Sequence, residues 1–318
     1  DSHPIKVIHQ KNYLCSNLLV ARHYMKQRTI KQPVTISGAG LHSGAPATIT
    51  FKPAPVNHGY KFQRIDLADR PVINADVNRV ASTNRGTTIQ SGSAEISTVE
   101  HALSALYGLQ LDNVLVEIDG PEVPILDGSA RGFVEALQKA GLVEQEAERE
   151  FFEVEAPISL YDEETGTEML ALPADHFEII TMIDFNSPVL GQQYASLRCL
   201  NDYADAIAPC RTFVFLHELE NLFKQDLIQG GDLDNAIVIV DRIMKQPELD
   251  RLANLLDKPS VTVDREGILN TTELLFKNEP ARHKLLDVIG DIALLGKPIK
   301  GKIGATKPGH TTNVEFTK

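Results

Sequence analysis

From Arg28 onward, apolar and polar residues alternate in short runs at 29–36, 47–53, 60–64, 87–90 and 113–118, each bounded by Gly, Pro or Asn. A period of two with β-branched residues predicts half-buried strands. Two stretches switch to helical spacing. One opens at Ser97 and closes near Gly108, with Val99, Leu103 and Leu106 on one face. The other follows Asp127-Gly128-Ser129, carries Phe133, Val134 and Leu137, and stops at Gly141. An acidic run at 144–150 then interrupts the periodicity and reads as a linker or domain boundary. Beyond it, strands are expected at 151–158, 168–172, 178–184 and 236–240. Helices are expected around 216–225 and 247–256, with a stronger one from Pro280 to Leu295 that Gly296 ends. Strands gathered before helices in both halves predict an α+β protein of two units, each a β-sheet covered by helices on one face. No sequence identity between the halves is visible, so a duplication is a structural expectation only.

Length changes this picture little: 318 residues divide into roughly two domains of ordinary size. The expected division is 25–147 and 148–318. Residues 1–24 read as an upstream extension before Met25, because their apolar patch is broken by Ser16 and Asn17 and lacks the h-region of a secretory signal. A net charge of -12 without any long basic run argues against nucleic acid as the main partner. No run of about 18 apolar residues exists to span a bilayer; the 285–295 stretch is cut by Asp287 and Asp291. Cys15, Cys199 and Cys210 form no CxxC pair and no even set, which points to a reducing, cytoplasmic setting.

The candidate chemistry lies on two of the expected helices. Glu100-His101 lies in the first turn of the first, and His283, Asp287 and Asp291 fall at i, i+4 and i+8 on the strong later one. Such spacing drifts by only about 40° per step, so the three line one side of the helix. A polar strip on an apolar helix costs burial energy unless it is paired or ligated. Two imidazoles, one carboxylate and an adjacent free glutamate are the parts of a catalytic zinc site, in which three protein ligands leave a position for water. Ordinary alternatives exist for each group. Ser97-Thr98-Val99-Glu100 also fits a capping box, and His283 with Asp287 also fits a solvated surface pair. His310 falls in a Gly/Pro-bearing loop, 307–313, where a histidine is often merely exposed; facing the metal it would be a general acid with Asp291 orienting its ring. Thr212 could donate a hydroxyl to an oxyanion, or simply cap a following helix.

The order of blocks is more specific than any one of them: Ser97-Thr98-Val99-Glu100-His101, Leu111-Asp112-Asn113, Pro124-Ile125-Leu126-Asp127-Gly128-Ser129-Ala130, Arg211-Thr212-Phe213, Gly230-Gly231-Asp232, Arg282-His283-Lys284-Leu285-Leu286-Asp287 and Gly309-His310. Over about residues 25–316 this resembles the UDP-3-O-acyl-N-acetylglucosamine deacetylases, zinc amidases that commit a precursor to lipid A. The resemblance implies His101, His283 and Asp287 as metal ligands, and Glu100 as the base that takes a proton from water. It implies His310 as the cation that protonates the leaving amine, with Asp291 behind it. Thr212 would hydrogen-bond the tetrahedral intermediate and Lys284 would hold substrate near the metal. It also implies two similar α/β domains packed helix layer to helix layer, and an apolar acyl-chain tunnel that Phe213 and Phe215 would border, though core packing suits both rings as well. The cofactor would be zinc, with ferrous iron equally suited to N/O ligands. The partner would be the acylated UDP-N-acetylglucosamine substrate, with at most peripheral membrane contact.

Gly38-Ala39-Gly40-Leu41-His42-Ser43-Gly44 resembles the family's early glycine-rich turn, and it fits neither GxGxxG nor GxSxG spacing. The span from Thr212 to His283 is longer than the family pattern, with 244–276 as the surplus. Some lineages fuse this deacetylase to a hydroxyacyl-carrier-protein dehydratase, so a fused C-terminal dehydratase domain is a further expectation. Two other readings stay open. A zinc peptidase accounts for the ligands but not for the other blocks, and HExxH is absent. A non-catalytic binding protein would use the same triad as a structural zinc clip between its domains.

Overall fold

A computed structural model of the chain describes residues 25–218, 229–231, 235–242, 244–255, 260–263, 267–269 and 273–318. The 1–24 extension, most of the helix expected at 216–225, Asp232 and parts of the 244–276 surplus lie outside the described residues. The first half runs β1 (Lys26–Ile30), β2 (Val34–Ala39), β3 (Pro46–Pro53), β4 (Tyr60–Arg64), β5 (Val72–Asn74), β6 (Val80–Ser82), β7 (Thr88–Ser91), β8 (Ala94–Ile96), α1 (Glu100–Gly108), β9 (Val114–Ile118), α2 (Arg131–Ala140) and β10 (Leu142–Glu148). The second runs β11 (Phe152–Glu153), β12 (Ile158–Asp162), β13 (Thr167–Leu172), β14 (Phe177–Asp184), β15 (Gln192–Leu197), α3 (Tyr203–Ala206), β16 (Phe213–Phe215), β17 (Ile237–Ile239), α4 (Gln246–Leu255), α5 (Glu279–Ile292), β18 (Ile299–Thr306) and α6 (His310–Thr317).

Both halves build the same sheet. The first is ordered β2-β3-β9-β4-β5 and the second β12-β13-β18-β14-β15. In each, the late strand enters between two earlier hairpins: β9 is antiparallel to β3 and parallel to β4, and β18 is antiparallel to β13 and parallel to β14. One helix precedes that strand and another follows it, α1 and α2 in the first half, α5 and α6 in the second. The expected duplication is therefore present in topology without sequence identity, because alternation alone sets which face of each strand is buried. Phe51, Val116, Phe62 and Ile73 form one such buried row across the first sheet, and Ala171, Ile303, Ile179 and Leu197 form its counterpart. Both rows belong to one continuous apolar core. Helix α5 is buried almost all round, since it lies between α1 on one side and β14 and β15 on the other.

Several local expectations are corrected. The run at 29–36 is two strands, broken at 31–33, where Pro33 has no N–H to donate. The acidic run is not a linker: 142–148 is β10, antiparallel to β1. Its carboxylates stay in water on this ribbon, where Lys26–Glu146 (3.3 Å) and Arg28–Glu144 (3.6 Å) pair across it. The inward positions of β10, Gln145 and Ala147, are only half-buried and carry no large apolar side chain, so the strand shows no apolar alternation and composition hides it. The 151–158 run is not one strand: Phe152 and Glu153 form β11, Ile158 opens β12 and 154–157 are irregular, while the rest of β12 and β15, β16 and β18 were not anticipated. Among the described residues, no helix is long and apolar enough to cross a membrane.

Candidate metal centre

The two helices that carry the candidate ligands pack directly against each other. Gly290 of α5 makes this approach possible, for a Cβ there would lie 2.8 Å from the Glu100 carbonyl carbon and 3.0 Å from its Cα. Helix α1 starts at Glu100 rather than Ser97, with Val99 as an N-cap that makes no side-chain cap bond. The capping-box alternative is thereby excluded. Instead of folding back, the Glu100 carboxylate accepts a hydrogen bond at Oε2 from the Thr87 backbone N–H (2.9 Å). Gly86 leaves room beside Oε1, where a Cβ would sit 3.0 Å away. Burial pushes the Glu100 carboxyl above the usual carboxylate range, which suits a group that must accept a proton near neutrality.

His101, His283 and Asp287 converge, their candidate ligand atoms all within 4.8 Å of one another. Asp287 Oδ1 lies 3.7 Å from His101 Nε2 and 3.4 Å from His283 Nε2. Tetrahedral ligands at about 2.0–2.1 Å from one ion stand about 3.4 Å apart, so the separations fit a shared cation. The donor set of two imidazoles and a carboxylate suits zinc and other N/O-binding divalent metals. Asp287 Oδ1 is buried and makes no hydrogen bond, as is His101 Nδ1. Ligation would satisfy the oxygen at no other group's expense. Its sister oxygen is already taken, accepting from Lys284 Nζ at 2.9 Å. His283 Nδ1 donates to the Cys210 carbonyl (3.0 Å), which turns Nε2 inward with its lone pair free. Burial pushes this imidazole down to about 4, so it stays neutral. Burial works against charge on Asp287 too, yet Lys284 and the imidazoles hold it well below the usual carboxylate range. Burial likewise opposes the Lys284 ammonium, which Asp287 nevertheless keeps above its ordinary value.

Behind this centre, His310 Nδ1 donates to Asp291 Oδ2 at 2.9 Å. Burial alone would lower this imidazole, but Asp291 outweighs it and carries the value to about 9. His310 is not on a loop: it is the first residue of α6. Asn313 Nδ2 also donates to Asp291 Oδ2 (2.8 Å), and the Thr87 hydroxyl donates to Oδ1 (2.6 Å). Neither Thr87 nor Asn313 was singled out from sequence, since a buried threonine or asparagine carries no spacing signal.

Thr212 precedes strand β16 rather than a helix, so it does not act as a helix N-cap. Its segment is fixed to α5 by Arg211, whose Nε and backbone N–H donate to Glu279 Oε1 at 2.8 and 3.1 Å. The Phe213 ring lies 6.4 Å from the His283 ring and 5.7 Å from Lys284 Nζ. Phe215 is set back, in a buried apolar cluster with Leu190, Ile237, Ile239 and Ile268. The glycine-rich turn meets the second half at 229–230: Gln229 and Gly230 N–H groups donate to the His42 and Leu41 carbonyls (3.2 and 3.1 Å).

A model of the UDP-3-O-acyl N-acetylglycosamine deacetylase family matches residues 27–255 and 253–318. The chain is 47% identical over 294 residues to a bifunctional LpxC/FabZ enzyme of Bacteroides thetaiotaomicron, covering 92% of this chain and 64% of that protein. It is 47% identical over 293 residues to the bifunctional LpxC/FabZ enzyme of Porphyromonas gingivalis (92% and 63%). It is 41% identical over 295 residues to the UDP-3-O-acyl-N-acetylglucosamine deacetylase of Myxococcus xanthus (92% and 85%). The chain thus spans less than two thirds of the length of the bifunctional relatives it matches.

Proposed function

The chain belongs to the UDP-3-O-acyl N-acetylglycosamine deacetylase family, and on that premise we propose that it hydrolyses the acetamide of a UDP-3-O-(3-hydroxyacyl)-N-acetylglucosamine, releasing acetate and the free amine on the way to lipid A. The observation that carries this reading is the meeting of His101, His283 and Asp287 from two helices, with a buried glutamate next to His101 in the chain and an imidazole–carboxylate pair that acts on its charge. His101, His283 and Asp287 would hold zinc, or ferrous iron. Such a cation lowers the pKa of water and polarises a carbonyl oxygen.

An amide is a poor electrophile, so its hydrolysis needs a base, stabilisation of the oxyanion and a proton for the amine. Glu100, desolvated and fixed at Oε2, takes the proton of the attacking water at its other oxygen. His310, kept cationic by Asp291, faces the developing negative charge and then gives its proton to the leaving amine. The Thr212 hydroxyl is a second donor to the oxyanion; one such donor is typically worth about 2.7–4 kcal/mol. Lys284 holds substrate beside the metal by exchanging part of its bond with Asp287. Phe213 borders the acyl chain near the ligands, and Phe215 does so deeper in the apolar cluster.

The two domains divide near residue 148, so the site depends on their interface, with His101 from the first and His283 and Asp287 from the second. The setting is cytoplasmic, in keeping with three cysteines that form no CxxC pair and no even set. In the bifunctional relatives a dehydratase partner is the expected occupant of the length this chain does not cover. The test is elemental analysis of purified protein together with acetate release from the acylated nucleotide sugar, before and after chelation. Activity that survives complete metal removal ends this reading. Glu100→Ala separates it from a structural clip: metal retained with turnover lost is expected, whereas a clip would show little change.

A further inference from the structure

Thr87 is 0% exposed and sits just before β7, between the two helices of the site. Its main chain is tied to the start of α1 twice. The N–H donates to Glu100 Oε2 (2.9 Å), and the carbonyl accepts from the Val99 N–H (3.2 Å). A buried hydroxyl needs a partner, and the usual one is a nearby backbone carbonyl. Thr87 instead directs its single proton to Asp291 Oδ1, 204 residues away, at 2.6 Å. The Thr87 hydroxyl oxygen itself lies 3.5 Å from His310 Nδ1. Thr83, four residues earlier, meets Thr311 hydroxyl to hydroxyl at 2.8 Å, so the loop is joined to α6 as well.

We infer that Thr87 is a positioning residue that couples the proposed base Glu100 to the proposed acid pair His310–Asp291 across the two halves of the molecule. The inference rests on the deacetylase reading of those groups. Asp291 accepts from three donors: Thr87 on Oδ1, and His310 and Asn313 on Oδ2. Each donor disperses part of its charge. Removing the Thr87 hydroxyl leaves Oδ1 without a donor, concentrates that charge, and makes Asp291 hold the His310 proton more tightly. The charged groups that face His310 are Glu100 on α1 and Asp287 and Asp291 on α5. Of these, Thr87 touches both Glu100 and Asp291. One residue therefore sets where the base points and how readily the acid releases its proton.

Thr87→Val keeps the backbone N–H and the shape and removes only the hydroxyl; Thr87→Ser restores it. With the full chain, metal-loaded, on acylated UDP-N-acetylglucosamine, Thr87→Val is expected to lower kcat roughly 10–100-fold, the loss typical of a hydrogen bond to a charged group. KM and bound metal per chain stay at wild-type values, and Thr87→Ser recovers kcat to within about threefold. In the metal-free protein, the 15N-histidine NMR titration of His310 moves upward in Thr87→Val. Wild-type kcat in Thr87→Val, a proportional loss of bound metal, a serine variant as slow as the valine one, or an unchanged or lowered His310 titration overturns the coupling. Should Thr87→Val not fold, Thr87→Ala carries the same comparison. A wild-type chain that binds metal yet releases no acetate removes the deacetylase reading instead, and the NMR titration still decides the coupling.

Discussion

Replacing Gly290 with alanine tests whether close packing of α1 on α5 is what assembles the site. The new Cβ would meet backbone, 2.8 Å from the Glu100 carbonyl carbon and 3.0 Å from its Cα, and backbone cannot rotate away. To regain an ordinary contact of about 3.5–4 Å, the helices must part by roughly 1 Å. His283 and Asp287 ride together on α5 and keep their 3.4 Å separation, while His101 on α1 moves off from a 3.7 Å contact that is already longer than a tetrahedral edge. Alanine favours a helix over glycine by about 1 kcal/mol, and overpacking typically costs about 1–3 kcal/mol. The net loss of stability is therefore about 0–2 kcal/mol, a fall in Tm of several degrees at most at about 2–4 °C per kcal/mol. Metal affinity should fall by more, at least the roughly 10–100-fold seen when only an outer partner of a ligand is lost. A chelator-competition titration run beside a thermal melt reads both. Wild-type metal affinity in Gly290→Ala would show that the helices have slack at this crossing and that the reasoning from contact geometry is wrong.

In the metal-free protein His310 is raised to about 9 from an ordinary 6.5. Its stabilising contribution is therefore fully present below pH 6.5 and is lost as pH rises through about 9. Melting temperature should decline over that window in the wild type and less steeply in His310→Asn; equal slopes would refute the pairing with Asp291. Glu279→Gln leaves the Arg211 guanidinium without the carboxylate it meets at 2.8 and 3.0 Å. Breaking a buried pair costs about 3–5 kcal/mol, so urea unfolding should show a loss of that order, and a loss below about 1 kcal/mol would mark the pair as solvent-screened. Phe213→Ala removes the ring beside His283 and Lys284. KM for the acylated substrate should rise more than kcat falls, and an unchanged KM would take Phe213 out of the binding surface.

Much of the site was legible because helix geometry is local. Four residues make one turn, so His283, Asp287 and Asp291 could be placed on one side of α5 from spacing alone, and Glu100-His101 at the start of α1 from the apolar period that follows. The sheets were legible where large apolar residues fill the buried row, as in β3 and β14; β15 and β18 also bury one face but fill it partly with alanine and glycine, and β10 buries no position fully, so none of the three was marked by its alternation. Only tertiary packing decided the rest. Whether Glu100 caps its own helix or accepts from Thr87, whether His310 hangs on a loop or opens α6 against Asp291, and whether Thr212 precedes a helix or a strand are choices between competing short-range bonds of similar strength. Each is settled by a partner distant in sequence, and a chain records its local periodicities far more directly than the distant groups that tip such balances.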